Sequence, residues 1–290
     1  MNQFAEIVAR IRGIDVERML GLRPPCPPVV LKLERNELAL VRLKNRRRGA
    51  ALLEAYATRT VSEGGVPASI FQTVPPPSEE LPGKLRELFE TSGTRPGRVS
   101  LLLPDNLAKI SLLKLPERPA SRKQLSELVR AQMRRAVPFR LDDASFSYQL
   151  LSGESRDVAV LVVLIRKAMV ERFEQALASF GARVGLVDIC TPNLLNLCRE
   201  RMDEASRDGG DAALLNRAAN YFSLAIVREG KLIFFRCKSF ATGDGSPSVV
   251  NGMLSRELSN SLSYYREKLA GQGVRTVFVR SAGEFAGKLI

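Results

Sequence analysis

At 290 residues, 45% of them hydrophobic, the chain is long enough for two domains or one elaborated domain and too apolar to be disordered throughout. It has no histidine, which removes the commonest general base and metal ligand. A formal charge of +13 asks for an anionic partner: nucleic acid, an acidic protein or the inner face of a membrane. Nucleic acid is disfavoured, because there is no tryptophan, only five tyrosines and no interleaving of basic with aromatic residues for bases to stack on. An anionic membrane surface or a partner protein fits better. No apolar run approaches the ~20 residues that span a bilayer, and Glu6, Arg10 and Arg12 break the N-terminal apolar pattern as no secretory signal would. Cys26, Cys190, Cys198 and Cys237 have neither disulfide-framework nor zinc-ligand spacing, so they read as free thiols of a reducing, cytoplasmic compartment.

Taken in order, residues 1–23 read as an amphipathic helix with Phe4, Ile7, Val8 and Ile11 on one face. Such a face can lie on a membrane, dock on a partner or pack on the main body. Residues 24–28, Pro-Pro-Cys-Pro-Pro, form a stiff spacer. Strands follow at 29–33, 38–43 and 50–60, with Arg46, Arg47 and Arg48 in a turn, then a Pro- and Gly-rich loop and a helix over 81–92. Apolar runs at 99–103 and 108–115 are halted by Pro104 and Pro116. Ser121 with Gln124 makes a capping box for a helix whose apolar face is Leu125, Leu128, Val129, Met133 and Ala136. Val137-Pro138 ends that helix, since the residue before proline leaves the helical region. Phe146, Tyr148 and Leu150 alternate as a returning strand, 158–165 is a strand apolar on both faces, and 168–180 is a helix stopped by Gly181. A strand at 184–189, one helix over 192–202 and a Gly209-Gly210 link lead to strands at 212–215, 221–227 and 232–235. A loop at 242–248, a long helix at 253–269 and a strand at 275–279 complete the pattern. The three strands of the second half repeat those of 29–60.

The order strand, strand, helix, Val137-Pro138-Phe139, then Asp142-Asp143 before a Ser147-Tyr148 strand resembles the PilM family. So do Leu53-Glu54-Ala55-Tyr56-Ala57, the 158–165 strand, Gly185-Leu186-Val187-Asp188 and the 257–265 stretch, a resemblance spanning about residues 29–279. PilM proteins are cytoplasmic, actin-like components of type IV pilus machines. The resemblance implies an α/β, actin-like (ribonuclease H-like) two-lobed fold with an inserted α+β subdomain. The expected division is 1–28 as leader and linker, 29–94 with 184–208 as lobe 1, 95–183 as the insert and 209–290 as a reduced lobe 2. It further implies a strand and helix beyond residue 290.

Actin-like ATPases grip nucleotide between two hairpins, each offering an Asp and a small residue, so that carboxylates place magnesium and backbone N–H groups reach phosphate. Laid on the resemblance, the first hairpin has Lys32 for the Asp and Glu34 for the small residue, and the second has Asn216 for the Asp and Ala218 for the glycine. Lys32 could meet a phosphate as a point charge, but Glu34 sets a carboxylate where phosphate would sit. The expectation is a degenerate site with no catalytic residues, metal or cofactor, and ATP with magnesium is the disfavoured alternative. What remains implied is a pilus assembly scaffold, peripheral at the cytoplasmic face of the inner membrane. It would bind the extended, apolar and basic N-terminal tail of a bitopic, PilN-like partner in a groove between main body and insert. The expected groove residues are Val137, Pro138, Phe139, Leu141, Phe146 and Tyr148. Alternatives are the cytoplasmic actin-like protein of a type II secretion platform and an active ATPase of the same fold.

Overall fold

The computed structural model describes residues 26–44, 52–61, 66–74, 79–115, 117, 119–151, 158–207, 209–240 and 247–281. The helix expected over 1–23, the Arg46 to Arg48 turn and most of the loop expected at 242–248 lie outside these residues.

Three sheets organise the chain. The first runs β3-β2-β1-β4-β8, from β1 (Val29–Leu33), β2 (Glu37–Lys44), β3 (Leu52–Thr60), β4 (Arg98–Leu103) and β8 (Arg183–Ile189). β1 pairs antiparallel with β2 and parallel with β4, and β4 parallel with β8. Its inner face, including Leu31, Leu40, Leu101 and Ala57, packs under α1 (Glu80–Thr91) and α3 (Lys167–Ala178). The second sheet runs β11-β10-β9-β12, from β9 (Asp211–Arg217), β10 (Tyr221–Arg228), β11 (Lys231–Ser239) and β12 (Val274–Ser281). It repeats the β3-β2-β1-β4 order with the same senses of pairing, so the duplication visible in the sequence is a duplication of topology. The long helix α6 (Pro247–Lys268) covers one face of it through Leu254 and Tyr265; α4 (Cys190–Leu197) and α5 (Arg199–Ala205) cover the other through Leu194, Leu195 and Met202.

The third, antiparallel sheet, β5-β7-β6, is the insert: β5 (Ala108–Leu115), β6 (Ala144–Leu151) and β7 (Val158–Arg166), backed by α2 (Arg122–Ala136). Ser121 caps α2 by accepting from the Gln124 N–H at 3.1 Å, and Val137 ends it in extended backbone, both as the sequence predicts. β7 is apolar on both faces because Val158, Val160, Val162 and Leu164 meet α2 while Leu161, Val163 and Ile165 turn to the main body.

Two expectations need correction. The pattern puts 99–103 and the helix after β7 in the insert, but β4 is held between β1 and β8, and α3 packs on the first sheet. Parallel pairing between strands some 70 residues apart leaves no local mark in the sequence. The helix expected over 192–202 is two, broken at Cys198, whose φ of −91° and ψ of 2° leave the helical region. No described helix is long and apolar enough to cross a membrane.

The second lobe is tied by one clamp. Arg228 grips Asp211 with two nitrogens, Nε at 2.9 Å and Nη2 at 2.7 Å, and the Tyr265 hydroxyl donates to the same carboxylate at 2.5 Å. Gly271 lies against the Tyr265 ring so closely that a Cβ there would come within 2.2 Å of it. Gly271→Ala must therefore displace the ring from Asp211. The expected cost is roughly 1–3 kcal/mol, as for other overpacked sites, read as a lower urea midpoint with unchanged slope.

Candidate functional site

Two places between the sheets bear on the residues expected from sequence. The first is the cleft between the lobes, where the carboxyl ends of β1 and β9 approach one another. Lys32 and Glu34 extend from β1 and form an ion pair at 2.7 Å. Glu34 is also reached by Arg280 of β12, Nη2 to Oε1 at 3.3 Å, while Nη1 of Arg280 donates to the Asn216 side-chain oxygen at 3.0 Å. Asn216 donates in turn to the Thr191 hydroxyl at 2.8 Å. Thr191 donates its hydroxyl and its backbone N–H to Asp105, the latter at 2.9 Å, and the Ser223 hydroxyl donates to the same carboxylate at 2.6 Å. Lys32, Glu34, Asp105 and Thr191 belong to the first lobe; Asn216, Ser223 and Arg280 belong to the second.

Lys32, Glu34 and Asn216 are thus brought together as the hairpin reading expects. Ala218 is buried beside them, but its N–H is already donated to the Tyr221 carbonyl at 2.9 Å. The central residue, Asp105, is not one that sequence reasoning picks out. Pro104-Asp105-Asn106 reads as a turn, and its partners lie 86 and 118 residues away. Its side chain is fully buried. Burial raises its pKa above the usual carboxylate range, against the lowering effect of the hydrogen bonds from Ser223, Thr191 and Asn216. Burial also pushes the nearby thiols of Cys190 and Cys237 up to about 12, with the Asp105 charge adding to it, so both are poor nucleophiles.

The second is a groove of about 620 Å³ between insert and main body. Its insert wall is the outward set of β6 and β7: Ser145, Ser147, Gln149, Leu161, Val163 and Ile165. Its opposite wall comes from α3 (Lys167, Val170, Glu171, Glu174), the end of β8 (Val187, Asp188, Ile189) and α4 (Pro192, Asn196). A smaller hollow continues it past Gln149, Leu161 and Asn196 to Arg199 and to Leu232 of the second lobe. The expected groove residues divide. Phe146 and Tyr148 border the groove. They also stack on one another at 6.3 Å on the α2 side of β6, with Arg130 over Phe146. Val137 and Leu141 are buried in the insert's own core, and Phe139 packs against it beneath Arg166. Neither they nor Pro138 line the groove. The physical reason is alternation: side chains at even positions of β6 face α2, so the groove receives the odd ones.

A family model described as type IV pilus assembly protein PilM matches residues 31–251. The chain belongs to the PilM family. Among solved structures, a PilM-PilN type IV pilus biogenesis complex aligns with a TM-score of 0.72 at 19% identity, over 90% of this chain and 82% of that one. A Bacteroides thetaiotaomicron protein of unknown function with an actin-like ATPase fold aligns at 0.53 and 9% identity, over 90% and 84% of the two chains. The cytoplasmic domain of EpsL, an inner-membrane component of the Vibrio cholerae type II secretion system, aligns at 0.49 and 12% identity, over 88% and 82%. No curated protein matches the chain. The fold is actin-like α/β, as the sequence resemblance implies.

Asp105 makes this PilM-family fold sensitive to pH in a definite direction. Its folded-state pKa is raised, so between the ordinary carboxylate range and the raised value the native state binds a proton that the unfolded chain has released. The stability this contributes is complete below the ordinary carboxylate range and is lost as pH rises through the raised value. Asp211 runs the other way. Burial raises its pKa, but the bonds from Arg228 and Tyr265 outweigh burial and leave it lowered, so its contribution is lost on acidification. In urea titrations at about pH 5 and about pH 8, Asp105→Asn should show a smaller fall in stability with rising pH than the parent.

Proposed function

We propose that this PilM-family protein is a non-hydrolysing assembly scaffold, peripheral at the cytoplasmic face of the inner membrane, and that its groove holds the N-terminal tail of a bitopic, PilN-like membrane protein. The observation that carries the proposal is the groove itself. It is long, open and floored by Leu161, Val163, Val170 and Val187, which suits an extended apolar peptide. Its rim carries Glu171, Glu174 and Asp188 against Lys167 alone, an acidic margin on a chain whose formal charge is +13. Such a margin attracts a basic tail and repels the rest of the protein's own surface. A complex of a PilM with a PilN aligns over 90% of the chain with a TM-score of 0.72, which agrees with this choice of partner.

The cleft between the lobes is a poor fit for nucleotide. Magnesium phosphate needs carboxylates free to hold the metal and N–H groups free to meet phosphate oxygens. Here the Glu34 carboxylate is taken by Lys32 and Arg280, Asn216 stands where a second carboxylate is needed, and the Ala218 N–H is spent within its own hairpin. The residues present do not suit ATP with magnesium.

Calorimetry separates the two claims. A synthetic peptide of the partner's cytoplasmic tail should bind the parent and bind Glu171→Lys/Glu174→Lys about tenfold or more weakly, a loss of roughly 1.4 kcal/mol. Both positions are exposed, so the fold should be unaffected. Equal affinity of parent and variant would remove the groove from the account. Magnesium ATP should give no saturable heat at concentrations up to about a millimolar Kd; a saturable titration would make the protein a nucleotide binder instead.

A further inference from the structure

A further cavity, of about 430 Å³, lies where three parts of the molecule meet. Its walls come from the segment between β3 and α1 around Ile70 and Phe71, from Asn106 and the start of β5, and from the end of β11. Among the described strands β5 and β11 are each the edge of a sheet, and they do not pair with one another, so two sheets abut here without merging. The walls are held in place by hydrogen bonds. The Ile70 N–H donates to the Asn106 carbonyl at 2.8 Å, Nδ2 of Asn106 donates to the Ala68 carbonyl at 2.6 Å, and Arg166 donates to the Gln72 carbonyl at 2.9 Å. The volume is that of an ordinary small-molecule site. No described residue is shared with the groove between insert and main body.

The lining leaves two polar groups uncommitted. Asn106 is only 4% exposed; its Nδ2 is spent on Ala68, but its side-chain oxygen is buried and meets no donor. A buried acceptor is costly until an N–H or O–H reaches it. Lys109, half-buried on β5, makes no ion pair among the described residues. Its charge reaches the facing wall: burial raises the pKa of the Cys237 thiol, and the Lys109 ammonium works against that rise. The other two cations of the lining are turned to α6. Arg236 donates to the Ser261 hydroxyl at 3.1 Å and lies over the Tyr264 ring, and Lys238 stands 3.7 Å from Glu257. The described lining includes no Asp or Glu. Ile70, Phe71, Ile110 and Phe235 supply apolar wall between the polar groups.

We propose that this cavity binds a small monoanion in which a carboxylate, an amide N–H and a short apolar group stand close together. The carboxylate pairs with Lys109, the N–H meets the side-chain oxygen of Asn106, and the apolar group packs among Ile70, Ile110 and Phe235. One uncommitted ammonium matches a single negative charge. A phosphate monoester, at roughly −1.5 to −2, would be left under-neutralised. An N-acylated amino acid and the last residue of a polypeptide share the required chemistry. Because both lobes and the insert contribute walls, the occupant would tie the insert to the second lobe at a point remote from the peptide groove.

N-acetyl-L-leucine is a suitable probe, titrated into the full chain by calorimetry. It should bind saturably with one site per chain. N-acetyl-L-leucinamide, which lacks the carboxylate, and 4-methylpentanoate, which lacks the amide, should each bind about tenfold or more weakly. Lys109→Gln should lose binding to the same extent and Lys109→Arg should keep it, both with the parent's melting temperature in the absence of probe. A tetrapeptide ending in leucine separates the two sources of the ligand: tighter binding than the probe marks a polypeptide terminus, weaker binding a free small molecule. No saturable heat with either the probe or the tetrapeptide up to about 10 mM, unchanged affinity in Lys109→Gln, or equal competition by inorganic phosphate would overturn the proposal. Capture of a PilN-like tail in the groove should be the same in Lys109→Gln as in the parent, so the two sites fail or stand separately.

Discussion

A carboxylate that water cannot reach holds the two lobes in register. Asp105 sits at the end of β4 in the first lobe and accepts from Ser223 of the second, while Thr191 ties it through Asn216 to Arg280 and so to Glu34. Burying such a group is costly unless its lone pairs are met. Here donors from both lobes meet them, and a change in the angle between the lobes would leave some unmet. The network therefore acts as a geometric stop.

The loop that carries Asp105 also leads into the insert, through the turn Asp105–Leu107 into β5, and the insert returns through β7 into α3. Its sheet is consequently anchored at both ends to elements packed in the core of lobe 1. β7 contributes to two apolar surfaces at once, one beneath α2 and one along the groove, which is why it is apolar at almost every position.

Much of this is legible in the residues. Period-two and period-3.6 patterns place nearly every described strand and helix, and Ser121, Gln124 and Val137-Pro138 mark the ends of α2 within a residue. Lys32, Glu34 and Asn216, singled out in the sequence, are brought together at the junction of the lobes through Arg280. The groove residues are not legible in the same way. Alternation along β6 divides its side chains into two sets, and the sequence favours the aromatic set, Phe146 and Tyr148, as the conspicuous one. Those rings turn toward α2, and the quieter Ser145, Ser147 and Gln149 face the groove.

By itself, then, the sequence determined the elements and the duplicated pattern of the two lobes, because each is carried by local periodicity of residues a few positions apart. Only the tertiary structure decided that β4 belongs to the first sheet, that Asp105 joins Thr191 and Ser223, and which face of β6 lines the groove. Those outcomes follow from pairings and burials between distant segments, where the choice of partner is made by the packing of the whole and leaves no local periodicity to read.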